Sequence, residues 1–170
     1  MTQTGGLSAY RIGLLQSMAL FGAVDPSALE FLLQHTEELE LEAGDTVFHE
    51  QDAGTQMYVL ESGRVAVLKS WQGIERQLAV LGPGDCFGEM ALMDFQRRSA
   101  TVRATESCLA LVLGTDALLE LYEHDVEQFT LIQMNMGREV SRRLRDADDR
   151  IFRATFGDRL DDRAGSTFFT

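Results

Sequence analysis

At 170 residues, with 45% hydrophobic side chains and only two prolines, the chain is expected to fold as one domain with a sizeable core. A net charge of −12 works against a polyanionic partner such as nucleic acid, and no apolar run approaches the ~20 residues of a bilayer span. Two cysteines and three histidines at no ligand spacing, behind a start without leader features, predict a reduced cytoplasmic protein with no metal and no membrane contact.

Residues 1–11 carry no clear pattern and are expected to be a flexible lead-in. Ile12, Leu14, Leu15 and Met18 then suggest a short helix over 12–18, broken by Phe21-Gly22. Asp25-Pro26 reads as a helix start, with Asp25 as cap and Pro26 at the first helical position. Leu29, Leu32 and Leu33 follow on one face, predicting a helix over 26–35. From 39 to 113 the pattern changes to short apolar runs interrupted by glycine turns. Strands are predicted at 47–48, 57–60, 64–69, 77–80, 100–103 and 109–113, with a hairpin turn at Glu61-Ser62-Gly63-Arg64. Turns about every 10 residues suit a barrel or jelly roll.

Thr115 is a candidate cap for a helix through Leu121, and a longer helix is predicted over about 126–156. Its apolar positions, among them Phe129, Ile132, Met136, Val140, Leu144 and Ile151, step by three or four and form a narrow seam suited to another helix. Opposite charges four apart, such as Glu139 with Arg143 and Arg142 with Asp146, support it. The plain reading is that the seam packs on the chain's own sheets. That suits the part up to Met136, whereas the remainder outlasts a small barrel and predicts a homodimer contact. The last residues, 156–170, are expected to be a flexible tail, the sharper alternative being that Phe168-Phe169 docks on a partner or caps a ligand pocket.

The chemistry concentrates in Phe87-Gly88-Glu89-Met90-Ala91-Leu92 and the following Arg97-Arg98-Ser99-Ala100-Thr101-Val102-Arg103-Ala104. Gly88 lets backbone approach a ligand closely, and the helix after it can aim free N–H groups at an anion. Arg98 offers a planar, permanently charged fork for phosphate oxygens. Glu89 is an acceptor suited to a sugar hydroxyl, and Ser99 and Ala100 are small, Ser99 adding a hydroxyl. Residues 1–137 hold 7 Lys+Arg against 20 Asp+Glu, and three of those seven cations are Arg97, Arg98 and Arg103. A basic cluster in an acidic barrel suits an anionic ligand, although Arg97 and Arg103 by themselves read more readily as solvated strand-edge charges, and Arg98 is the one whose spacing fits the ligand.

These residues resemble the phosphate-binding cassette of the cyclic nucleotide-binding domain, the module of bacterial catabolite activator proteins and protein kinase A regulatory subunits. The resemblance covers about residues 12–155, including Leu41-x-x-Gly44-Asp45, Tyr58-Val59-Leu60-x-x-Gly63-Arg64-Val65 and Leu81-x-Pro83-Gly84-Asp85. It departs at Arg97, where many relatives have proline, which leaves that turn less rigid. It departs again at Gln51-Asp52, where Gly-Asp is usual, although Gly54 remains nearby.

The fold implied is mainly β with flanking helices: a β-roll or jelly-roll barrel over about 39–113, N-terminal helices, a short phosphate-binding helix and a long C-terminal helix over about 126–155. The resemblance implies a cyclic nucleotide, cAMP or cGMP with a lean to cAMP, at Phe87, Gly88, Glu89, Met90, Ala91, Arg98, Ser99 and Ala100. Phosphate would meet Arg98, the Ser99 hydroxyl and the N–H groups of Ala91 and Ala100, with the ribose 2′-OH at Glu89. Arg143 would pair with Glu89, and the base would lie near Ala147, Asp148 and Ile151.

Four functions compete at this level. The first is a stand-alone sensor, dimeric through the long helix, that passes its signal to an unidentified effector protein. The second is a fold of the same type without ligand, serving as a dimerisation or scaffold module; the presence of Glu89, Arg98 and Ser99 together argues against it. A transcription regulator needs a helix-turn-helix domain of ~60 residues after the long helix, where only a short stretch follows. An enzyme needs a nucleophile–base pair, metal triad or Walker loop, and the sequence offers none.

Overall fold

The structure is a computed structural model that describes the backbone of residues 4–164 and the side chains of residues 9–156. The chain divides into two units, residues 1–136 and 137–170.

The first unit opens with α1 (Thr4–Gln16), a 3-10 turn (Ala19–Phe21) and α2 (Pro26–Gln34). The first helix begins at Thr4 rather than near residue 12, so residues 4–11, expected as a flexible lead-in, are helical. Eight strands follow, interrupted by one short helix: β1 (Glu37–Leu41), β2 (Thr46–Phe48), β3 (Gln56–Ser62), β4 (Val65–Trp71), β5 (Ile74–Leu81), β6 (Cys86–Phe87), α3 (Glu89–Asp94), β7 (Thr101–Ala104) and β8 (Cys108–Gly114). Helices α4 (Thr115–His124) and α5 (Val126–Ala164) complete the described chain. The helix over the C-terminal part thus extends to Ala164, beyond the expected boundary at 155; Phe168 and Phe169 lie outside the described residues.

The strands form two four-stranded antiparallel sheets, β1-β8-β3-β6 and β2-β7-β4-β5, in the β-roll expected from the sequence. Alternation along β3 explains its unbroken apolar run. Met57 and Val59 enter a core shared with the helices, whereas Tyr58 and Leu60 point into the roll. Strand β8 does the same with Leu111 and Leu113 on one face and Ala110 and Val112 on the other. A sheet buried on both faces needs apolar residues at both phases of the alternation.

Two local expectations are corrected. The turn at Glu61–Arg64 is not a hairpin, because β3 and β4 belong to different sheets. It is a corner, and Gly63 (φ +80°) allows it: an added Cβ there would fall 2.3 Å from the Ser107 carbonyl oxygen. The hairpin lies between β4 and β5, where Gln72 and Gly73 both take positive φ and Trp71 pairs with Ile74.

Asp25 occupies the cap position of α2, yet its carboxylate accepts from Gln128 Nε2 (3.1 Å) instead of capping that helix. Asp125 caps α5, Oδ1 accepting from the N–H groups of Glu127 and Gln128 at 3.1 Å each. Thr115 is the first residue of α4 and Gly114 holds its cap position. Buried Asn135 donates from Nδ2 to the carbonyls of Leu20 and Gly22 (3.0 Å each), fastening the start of α5 to the 3-10 turn.

The second unit is the remainder of α5. Here the expected i,i+4 pairs Arg143–Glu139 (3.0 Å) and Arg142–Asp146 (3.4 Å) form, and Arg142 also binds Glu139 at i,i+3 (2.6 Å). Leu144, Ile151, Phe152 and Phe156 are exposed on this unit.

Candidate functional site

Strand β6 pairs with β3, Tyr58 opposite Phe87, and delivers the chain to Gly88, whose positive φ (81°) turns it into α3. Glu89 opens that helix and is buried. Ala91, two residues on, is also buried, and Met90 between them is exposed. After α3 the chain returns to β7 through Arg97, Arg98, Ser99 and Ala100. The short sequence interval between Gly88 and Arg98 therefore closes into one place: Arg98 Nη1 donates to the Gly88 carbonyl at 2.9 Å.

Arg98 is the unusual residue of the unit, a guanidinium only 4% exposed. Its plane lies over the Phe48 ring, 4.1 Å from the centroid, with the Tyr58 ring 5.9 Å away. Tyr58 and Phe87 are stacked at 5.1 Å, so β2, β3 and β6 together build an aromatic floor under the charge. Burial lowers its pKa, and the electrostatic influence of Tyr58, Asp52 and Glu89 opposes that shift. Nε is buried without a hydrogen-bond partner among the described residues. A buried cation is costly unless paired, so a guanidinium held this way is prepared for an anion.

The backbone around Arg98 is fixed by a turn distant in sequence. Arg98 N–H donates to the Asp52 carbonyl and its own carbonyl accepts from Gln51 N–H, both at 2.9 Å. Arg97, read as either an anion contact or a solvated charge, does something else: Nη1 donates to the Gln51 carbonyl at 2.8 Å. Arg103 pairs with Glu75 at 3.0 Å. Exposed Ser99 brings its hydroxyl to 3.8 Å from the Met90 sulfur, and its carbonyl accepts from Lys69 Nζ (2.6 Å).

The structure therefore assembles Phe87, Gly88, Glu89, Met90, Ala91, Arg98, Ser99 and Ala100 within the first unit. Arg143, Ala147 and Asp148 belong to the second. There Arg143 is half-buried and donates to Glu139, while Asp148 is exposed. Sequence reasoning missed Phe48 and Tyr58 as the floor beneath Arg98, and Gly54 and Gln51 as its flank. Gly54 alone left a signal, a glycine kept beside the Gln51-Asp52 departure. Among the described residues no group of three or more His, Cys, Asp or Glu could hold a metal ion, and no helix is long and apolar enough to cross a membrane.

The family model for the cyclic nucleotide-binding domain matches residues 38–125, a span that contains Arg98 and the residues packed around it. The chain belongs to the cyclic nucleotide-binding domain family. It is 33% identical over 135 residues to the cyclic AMP receptor protein of Thermus thermophilus, covering 79% of this chain and 61% of that one. The crystal structure of the Thermus thermophilus catabolite activator protein superposes with a TM-score of 0.70 at 32% identity, over 81% of this chain and 63% of that one. The regulatory domain of Toxoplasma gondii PKA, solved with cAMP, matches with a TM-score of 0.62 at 32% identity, over 68% of this chain and 44% of that one. The chain thus spans less than two thirds of the length of these relatives.

Proposed function

We propose that this cyclic nucleotide-binding domain is a sensor that takes cAMP in preference to cGMP and acts by binding, without chemistry of its own. The observation that carries the reading is the buried Arg98 guanidinium, which among the described residues has an unpartnered Nε and one side-chain hydrogen bond, to the Gly88 carbonyl. The cyclic phosphate supplies the anion that this charge lacks, aided by the Ser99 hydroxyl and the N–H groups of Ala91 and Ala100. Buried Glu89 accepts the ribose 2′-OH. Arg143 of the C-terminal helix pairs with Glu89, and the base is read by the same helix around Ala147, Asp148 and Ile151. The lean to cAMP rests on the relatives, one named for cyclic AMP and another solved with it.

In this reading, barrel and helix each hold part of one ligand. The ligand shifts the helix by the difference between its affinities for the two helix arrangements. The output is a changed surface on a cytoplasmic homodimer, paired through the helix, that an effector protein reads. Exposed Leu144, Ile151, Phe152 and Phe156 support pairing, and Val140→Glu is expected to shift the mass in solution toward monomer.

The deciding experiment is thermal unfolding with cAMP, cGMP and 5′-AMP, for wild type and Arg98→Ala. A ligand at ~100 times its dissociation constant adds about 2.7 kcal/mol of stability. Wild type should respond to cAMP most strongly and Arg98→Ala should not respond. If neither cyclic nucleotide moves the midpoint, the domain is a ligand-free scaffold. An unchanged response in Arg98→Ala would place the ligand elsewhere.

A further inference from the structure

An apolar groove on the first unit lies between the end of α3, α4 and the beginning of α5. It encloses about 220 Å³, with buried Leu118 and Met136 at its floor. A cavity of roughly 150 Å³ accommodates a benzene-sized group, so this one has room for a large side chain. Its rim is unusually apolar for a surface. Phe95 is 83% exposed, Leu119 56% and Tyr122 50%. Tyr122 is held edge-on against Phe129, with ring centroids 5.3 Å apart, so that part of the wall is preformed.

The formal charge on α4 and the first turn of α5 has one sign. Residues 114–129 contain no Lys or Arg, and their acids are Asp116, Glu120, Glu123, Asp125 and Glu127, of which Glu120 is engaged by His35 at 3.1 Å. Asp116 and Glu123 stand three residues before and four after Leu119, on its side of α4. Asp94 closes α3 immediately before Phe95. A contiguous apolar surface rimmed by polar residues marks an interaction site. An acidic rim selects a basic occupant and repels an acidic one.

We propose that this groove docks an amphipathic helix with basic flanks from a partner protein, its apolar residues entering between Phe95, Leu119 and Tyr122 and its Lys or Arg side chains meeting Asp116 and Glu123. Helix-in-groove recognition needs one apolar stripe at i, i+3/i+4, i+7 spacing, and the α4 side of the groove offers Leu118, Leu119 and Tyr122 to meet it. The docking is separate from the nucleotide reading and is tested on the whole chain with no nucleotide added.

The probe is a dye-labelled leucine–lysine peptide of about 18 residues, five helical turns, compared with the matched leucine–glutamate peptide. Fluorescence anisotropy should show saturable binding of the lysine peptide alone. Asp116→Lys/Glu123→Lys should weaken it at least ~10-fold, and so should the charge-neutral Phe95→Ser/Leu119→Ser. Glu37→Lys/Glu40→Lys, an equal change of net charge on β1, should leave it unaltered. Phe95 is so exposed that Phe95→Ser alone serves if the double variant has a lowered thermal midpoint. Absence of binding, equal binding of both peptides, or an equal loss in the β1 variant overturns the proposal. Self-association in sedimentation that Leu119→Ser abolishes also overturns it, by giving the groove to a second copy of the chain.

Discussion

Gly54 and Arg98 are fitted to one another: a Cβ added at position 54 would lie 2.3 Å from Nε and 2.4 Å from Cζ and Nη2 of the arginine. The backbone of Gly54 does not itself demand glycine, since its φ is not in the left-handed region. What it lacks is space. Gly54→Ala should therefore displace the guanidinium from the Phe48 ring while leaving the turn intact. Affinity for cAMP should fall ~10-fold or more, and stability by about 1–3 kcal/mol, the usual cost of overpacking. Isothermal titration and urea unfolding measure the two effects separately.

Arg97 tightens the same turn from its outer side, through the 2.8 Å bond from Nη1 to the Gln51 carbonyl. Gln51 itself takes a positive φ of 73°, a conformation that a non-glycine residue adopts only when its surroundings hold it. Arg97→Ala should weaken cAMP binding by roughly 3- to 10-fold, as expected for a hydrogen bond worth about 1 kcal/mol. Arg97→Pro, which stiffens the turn by restricting φ, should retain most of the affinity. Equal losses in the two variants, in titrations at matched ionic strength, would mean that the charge acts at a distance and the turn does not need it.

The uneven legibility of this site follows from how far apart its parts lie in the chain. The cassette from Phe87 to Ala104 is a local motif, and its glycine, carboxylate and arginine were readable in order. The aromatic floor was not, because Phe48 and Tyr58 come from different sheets and meet Arg98 only through the roll. Strands β3 and β8 were conspicuous because both of their faces are buried. Strand β1, Glu37–Leu41, offers only Leu39 and Leu41 between glutamates, and its ladder with β8 rather than its composition makes it a strand. The Gln51 contact of Arg97 joins residues 46 apart, and no periodicity announces such a pair.

Glu139 makes the acid side of the stability curve informative. Its hydrogen bonds to Arg142, joined by the charge of Arg143, hold its carboxyl below the ordinary range even though burial pushes the other way. A carboxylate whose folded-state pKa is depressed contributes stability that is complete above the unfolded-state value. That contribution is lost as pH falls through the lower folded-state value. Urea midpoints followed from pH 7 to pH 3 should decline less steeply below the usual carboxylate range in Glu139→Gln than in wild type. Parallel curves would show that the Arg142–Glu139–Arg143 cluster does not couple to unfolding.

Asp125 controls how α5 begins. Its Oδ1 accepts two backbone N–H groups, from Glu127 and Gln128, and its own N–H donates to the Leu121 carbonyl at 2.7 Å, so one residue ends α4 and starts α5. Gln128 is tied in turn to Asp25, its Oε1 accepting from Asp25 N–H at 2.9 Å and its Nε2 donating to the carboxylate. Removing the cap should therefore loosen the first turn of α5 together with its tie to the start of α2. Asp125→Ala should cost about 0.5–2 kcal/mol in urea unfolding, and Asp125→Asn, which keeps the acceptor oxygen, considerably less. Hydrogen exchange should locate the change at residues 126–129, where protection falls in Asp125→Ala and survives in Asp125→Asn. Loss spread evenly along α5 would mean that the helix is held by packing around Ile132 and Met136 and that its cap is incidental.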